Sequence, residues 1–183
     1  MARRTVDSNP TDTLRRTLRK DDKWARYVSV YRTAYRPEFD TYIDEIQTLH
    51  RTRSTRVLGA QSAPSGKKIA DAAMRDQSTR SRCVEISMEV VRQRNHLAIV
   101  MNTVQSYILT EYGRLLYELG FTAVKTKEEA VLSLFGAGTR KIQELDTITE
   151  IANMVISDVD QASWAIKSTV TALEVATARE KSY

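Results

Sequence analysis

Arg16, Arg19 or Lys20, Lys23 and Arg26 recur every three to four residues, with Arg15 beside them and Arg32 and Arg36 further along. On a helix this spacing gathers the charges into one stripe. Guanidinium and ammonium groups so arranged suit a row of phosphates. Each phosphate neutralised releases a counterion, and an arginine can fork two phosphate oxygens. A second basic group is richer in turn residues. RTRSTRVLGAQSAPSGKK (51–68) carries Arg51, Arg53, Arg56, Lys67 and Lys68 and no acid, with Gly59, Pro64 and Gly66 between them. Arg75, Arg80 and Arg82 follow where the apolar pattern thins. Dense positive charge beside a weak seam points to a surface used for an anion. The plain alternative is a solvated linker and a frayed helix start.

Other chemistry has little to stand on. His50 and His96 are isolated in sequence and Cys83 is the single cysteine, so metal-ligand spacings are missing and no disulfide can form within the chain. No Ser/His/Asp or Cys/His signature appears, and neither a catalytic residue nor a cofactor is expected. LFGAGTRKI (134–142) lacks the G-x-x-x-x-G-K-[ST] spacing of a phosphate loop and reads as a joint between helices. Glu144, Glu150, Asp158 and Asp160 read as a solvated acidic face, or as one that meets a basic partner. Residues two apart on a helix do not face each other, so Asp158 and Asp160 do not make a carboxylate pair.

Elements long enough to hold these charges follow from the apolar spacing. Trp24, Tyr27, Val28, Tyr31 and Tyr35 share one helical face, and Phe39, Tyr42, Ile43, Ile46 and Leu49 share another after Pro37. The tyrosines could stack on bases, but their period is that of a buried face. Ser65 is placed to cap a long helix from Lys67 to Gly120, with the seam Cys83, Ile86, Val90, Leu97, Met101, Val104, Ile108, Leu115 and Leu119. Thr126 and Glu129 read as a capping box for a short helix that buries Val131, Leu134 and Phe135. A last helix from Thr139 to about Lys181 carries Ile142, Leu145, Ala152, Ile156, Val159, Ile166 and Val170. All three prolines lie before residue 65, so nothing breaks the later helices as proline would. The expected fold is all-α: a long antiparallel, coiled-coil-like hairpin with a basic N-terminal helical pair. The division is an arm at 1–11, the basic helical pair at 12–50, a basic connector at 51–66 and the hairpin at 67–183.

The chain has 183 residues and a net charge of +5. Residues 1–82 hold 18 Lys and Arg against 10 Asp and Glu, and residues 83–183 hold 10 against 13. A basic front and a mildly acidic rear suit contact with nucleic acid through the front. No run is apolar enough to span a bilayer, and MARRTVDSNPTDT has no apolar stretch like that of a secretory leader. A cytoplasmic location is expected, in the host cell if the chain is viral, with no membrane partner.

The basic helices at Arg15–Arg36, the connector 51–68 and the hairpin of 67–119 with 139–181 together resemble, in layout, the small DNA-recognition subunit of tailed-phage terminases. The resemblance implies a non-enzymatic homo-oligomer that binds DNA for viral packaging and hands it to an ATPase motor subunit. KWARYVSVYRTAYRPEFDTYIDEI departs from the helix-turn-helix domain of many such subunits, because no Gly-containing turn separates two short helices. The same outline is shared by phage recombination mediators, which load a recombinase on single-stranded DNA, and by helical scaffold proteins of viral particles. The expected phosphate contacts are Arg15, Arg16, Arg19, Lys23, Arg26, Arg51, Arg53, Arg56, Lys67, Lys68, Arg75, Arg80 and Arg82. Ile86, Val90, Leu97, Met101, Val104, Ile156, Val159, Ile166 and Val170 are expected to hold the hairpin or the oligomer.

Overall fold

The computed structural model describes residues 9–34, 38–59 and 65–180. Among them are eight helices and no strand: α1 (Pro10–Leu18), α2 (Asp22–Ala34), α3 (Glu38–Arg51), α4 (Ser54–Gly59), α5 (Gly66–Glu111), α6 (Gly113–Glu118), α7 (Val124–Leu134) and α8 (Gly136–Glu180). The fold is all-α, and the long helices α5 and α8 pack together as a hairpin. Their antiparallel sense is plain from side-chain pairs: Gln77 reaches Ser163, and Arg80 reaches Asp160. Residues 1–8 of the expected arm, Arg36-Pro37 and Pro64 lie outside the described residues.

The chain forms two compact units, one of residues 1–36 and 92–145, the other of 37–91 and 146–183. The first contains α1, α2, α6, α7 and parts of α5 and α8. Its core joins Leu14 and Leu18 of α1 and Tyr27 of α2 to Leu97, Val104 and Ile108 of α5, with Leu116, Val131, Leu134 and Phe135. Trp24 and Tyr27 meet Phe135 edge-on at 5.6 and 4.8 Å between ring centres. The second unit contains α3, α4 and the remaining parts of α5 and α8. Ile46, Cys83, Ile86, Val90, Ala152, Val155 and Val159 are its buried apolar residues, with Ala72 and Ile148. The contiguous basic pair 12–50 is thus shared between the units.

Local chemistry sets the helix ends. Asn9 caps α1, its side chain accepting from the Thr11 amide at 3.1 Å, and Pro10 occupies the first turn where a missing N–H costs nothing. α7 begins at Val124 rather than at the expected Thr126 box. The Thr126 hydroxyl donates to the Ala123 carbonyl at 2.8 Å, so it sits inside the first turn and caps no amide. The long helix also stops earlier than its apolar pattern suggests, since Tyr112 separates α5 from α6. Gly120 does end α6, with a φ of 96°. The Phe121 amide donates to Leu116 and the Gly120 amide to Tyr117, the bond pair of a Schellman stop.

GAG (136–138) opens α8 instead of forming a separate turn; the joint falls at Phe135. Gly138 is a packing residue. A Cβ there would lie 2.7 Å from the Tyr27 hydroxyl and 2.8 Å from the Met101 sulfur.

Candidate nucleic-acid interface

α1 is a short amphipathic helix. Leu14 and Leu18 are fully buried, while Arg15, Arg16 and Arg19 are exposed. Apolar residues four apart take the inner side and leave the cations outside. The Arg15 guanidinium is 3.9 Å from Asp12, at the limit of an ion pair, and both groups are well exposed. Lys20, Lys23, Arg26 and Arg32 are exposed as well.

The stripe is not one continuous helix. Residues 19–21 break it: backbone turn bonds close α1, and Asp21 caps the helix that follows. One carboxylate oxygen accepts from the Lys23 and Trp24 amides at 2.8 and 3.1 Å, which starts α2 afresh. The other accepts from the Tyr107 and Tyr112 hydroxyls at 2.8 and 2.7 Å. Partial burial pushes the Asp21 carboxyl up, but the bonds from Tyr112, the Trp24 amide, Tyr107 and the Lys23 amide outweigh it. They hold the group below the usual carboxylate range. The Lys23 ammonium lies 3.8 Å from the centre of the Tyr107 ring, a cation–π contact. The local signal was present in sequence as Asp21 ahead of Trp24, the first residue of an apolar period. Its two tyrosine partners were beyond local reading.

Not all the connector's charges face solvent. Arg53 is only 6% exposed and pairs with Asp158 and Asp76. Asp76 is itself 2% exposed and accepts from the Ser54 amide at 2.6 Å, the Thr55 amide and the Thr55 hydroxyl, so it caps α4 from a distance. Arg53 is therefore corrected from a phosphate contact to an interior ion pair. A guanidinium taken from water needs carboxylate charge beside it; buried Asp76 and half-exposed Asp158 supply that charge, although the Arg53 Nε, 3.5 Å from Asp76, is buried without a hydrogen bond.

Arg80 forks Asp160 at 2.7 and 3.2 Å, and Arg82 forks Glu45 at 2.6 and 3.2 Å while reaching Glu85 at 3.1 Å. The carboxylate hydrogen bonds raise both guanidinium pKa values. These arginines spend their charge inside the chain. Asp158 and Asp160 do meet basic partners, and the partners are intramolecular. His50 is not isolated in space: its Nε2 lies 2.9 Å from Asp158 and its Nδ1 3.4 Å from Arg56. Burial pushes the Asp158 carboxyl up, but His50 and Arg53 hold it below its ordinary value.

Arg51, Arg56, Lys67, Lys68 and Arg75 are exposed. Arg51 donates to Gln47 at 3.0 Å, and Ser65 caps α5 loosely through the Lys68 amide at 3.5 Å. The seam residues Ile86, Val90, Leu97, Val104 and Val159 are buried within the chain, Met101, Ile156 and Ile166 are partly buried, and Val170 is 47% exposed. The buried ones have no surface left to offer a second molecule, and Leu97 and Val104 belong to the core that α5 shares with α1, α2, α6 and α7. Among the described residues there is no group of three or more His, Cys, Asp or Glu placed to hold a metal, and no helix long and apolar enough to cross a membrane. The chain matches no protein-family model, and searches of curated proteins and of solved structures find no significant similarity.

Proposed function

We propose that this chain is a non-enzymatic, homo-oligomeric DNA-binding protein, of the kind that recognises duplex DNA for viral packaging and passes it to an ATPase motor. The observation that carries the reading is the α1–α2 surface. Arg15, Arg16, Arg19, Lys20, Lys23 and Arg26 are all exposed there against two exposed acids, Asp12 and Asp22, while the third acid, Asp21, is engaged with two amides and two tyrosines. Such a surface supports phosphate contact.

Duplex is favoured over single-stranded DNA because the aromatic residues beside these cations are taken up in the core. Tyr27 is 4% exposed and Trp24 packs on Phe135. Neither is presented as a platform for an unpaired base. This ranks packaging above recombination mediation.

The test is binding of labelled duplex and single strands over a salt series. Replacing Arg15, Arg16, Arg19 and Lys20 with Gln should weaken duplex binding. The slope of log affinity against log salt should fall by about 0.9 for each phosphate that is no longer neutralised. An unchanged slope removes α1 from the interface, and failure to bind duplex even at low salt overturns the reading.

A further inference from the structure

Along the far end of α8 the side towards α5 carries Ser163, which Gln77 reaches, and Ile166 and Val170, which share a groove with Ala70, Ala73 and Met74; a second face of the same stretch is left over. Beyond Val159 no described residue of α8 is buried. On that stretch Gln161, Trp164, Ser168, Thr171, Val175 and Ala178 are all exposed and uncharged, at successive spacings of three and four. This is the spacing of a coiled-coil seam. Trp164 is 71% exposed and Val175 49%. Trp164, Lys167, Ser168, Thr171, Ala172 and Val175 line one shallow groove.

Charge says what fits it. Lys167 and Glu174 flank the stripe on the same side, both exposed and neither ion-paired among the described residues. They stand seven residues apart, about 10 Å along the helix, too far to pair with each other.

We propose that this face is a homodimer interface, on which a second copy lays its own α8 antiparallel about a two-fold axis passing between the levels of Ser168 and Thr171. In that register Trp164 packs on the partner's Val175, Ser168 on the partner's Thr171 and Gln161 on the partner's Ala178. Small residues at the centre let the backbones approach. The same register sets Lys167 beside the partner's Glu174 twice, by symmetry, and Ala165 beside the partner's Ala172. A parallel pair puts Lys167 beside the partner's Ala172 instead and leaves its charge unmatched. The interface is isologous, so it closes on itself as a dimer. Trp164 supplies the anchoring area and the flanking charges fix direction. The proposal deepens the oligomeric part of the reading above and needs no DNA contact to hold.

Sedimentation of the full chain without DNA tests it, apart from any failure of the DNA reading. A dimer is expected at tens of micromolar. Trp164→Glu, at an exposed position, should weaken it at least ~30-fold with an unchanged helical circular dichroism spectrum. Lys167→Glu should weaken it less, and Lys167→Glu with Glu174→Lys should restore it. A monomer throughout, or a dimer indifferent to Trp164→Glu, overturns the interface. A double charge swap that fails to restore the dimer overturns the antiparallel register.

Discussion

The Tyr112 hydroxyl donates to Asp21 at 2.7 Å, across 91 residues of sequence, on the same carboxylate that starts α2. One side chain therefore begins α2 and ties its start to Tyr107 of α5 and to Tyr112 between α5 and α6. That carboxylate, with the core shared by Leu14, Leu18 and Tyr27, fixes the relation of the exposed cations on either side of the break.

Asp21→Ala should remove the cap and strand two tyrosine hydroxyls. A loss of about 2–3 kcal/mol is expected from the cap and the orphaned donors together. Urea unfolding checks it. Asp21→Asn, which keeps an acceptor for the amides, should cost less. A loss below about 0.5 kcal/mol for Asp21→Ala would show that the tyrosines and amides find other partners.

Gly138 and Gly136 lie two residues apart in α8 and should respond in opposite ways. A Cβ at Gly138 meets Tyr27 and Met101 within 2.8 Å, whereas one at Gly136 meets nothing within 4 Å. Gly138→Ala should destabilise by about 1–3 kcal/mol from overpacking, less the helix preference of alanine, near 1 kcal/mol. Gly136→Ala should be neutral or stabilising. Paired thermal melts decide it, and equal behaviour would rule out the tight packing at Gly138.

The Arg53–Asp76 pair predicts a difference between breaking and replacing an ion pair. Asp76→Ala leaves a buried guanidinium with less partner charge and removes the distant cap of α4, so a loss of about 3–5 kcal/mol is expected. Changing Arg53 and Asp76 together to Met and Leu should recover part of it. Denaturant midpoints of the single and double variants measure the coupling. A purely additive double variant would mean that the pair is not coupled.

Burial, with Tyr31 nearby, pushes the Tyr27 phenol from its ordinary value of 10.0 up to about 12. The folded chain thus holds a proton that the unfolded chain releases first. This contribution is fully present below pH 10 and is lost as pH rises towards 12, at no more than about 1.4 kcal/mol per pH unit. The hydrogen bonds from Tyr107 and Tyr112 to Asp21 raise those phenols too and act in the same direction. Urea midpoints from pH 9 to 11.5 should fall for the wild type and fall less steeply for Tyr27→Phe. Parallel curves for the two proteins would remove Tyr27 as a source.

The helices were legible in sequence wherever a side chain's role follows from its own neighbours. Cys83, Ile86, Val90, Leu97, Val104 and Ile108 keep helical spacing and are buried. Gly120 stops a helix as its lack of a side chain allows. Sequence reading failed where the partner is distant or where local options compete. Arg53 looks like its exposed neighbours Arg51 and Arg56 until Asp76 and Asp158 are brought to it, the latter from 105 residues away. Thr126 fits a capping box by type, yet the cap residue is Ala123, three residues earlier, and the Thr126 hydroxyl turns back onto its carbonyl. The basic stripe could be read as residue types, but the fresh start of α2 at Asp21 is held by Tyr107 and Tyr112, 86 and 91 residues away.

Cys83 is fully buried, and burial, with Glu45 nearby, pushes its thiol up while Arg82 pulls it down. As the only cysteine in the chain it is a built-in clock. Thiol reagents in solution reach it only when its surroundings open, so its alkylation rate counts those openings without any introduced label.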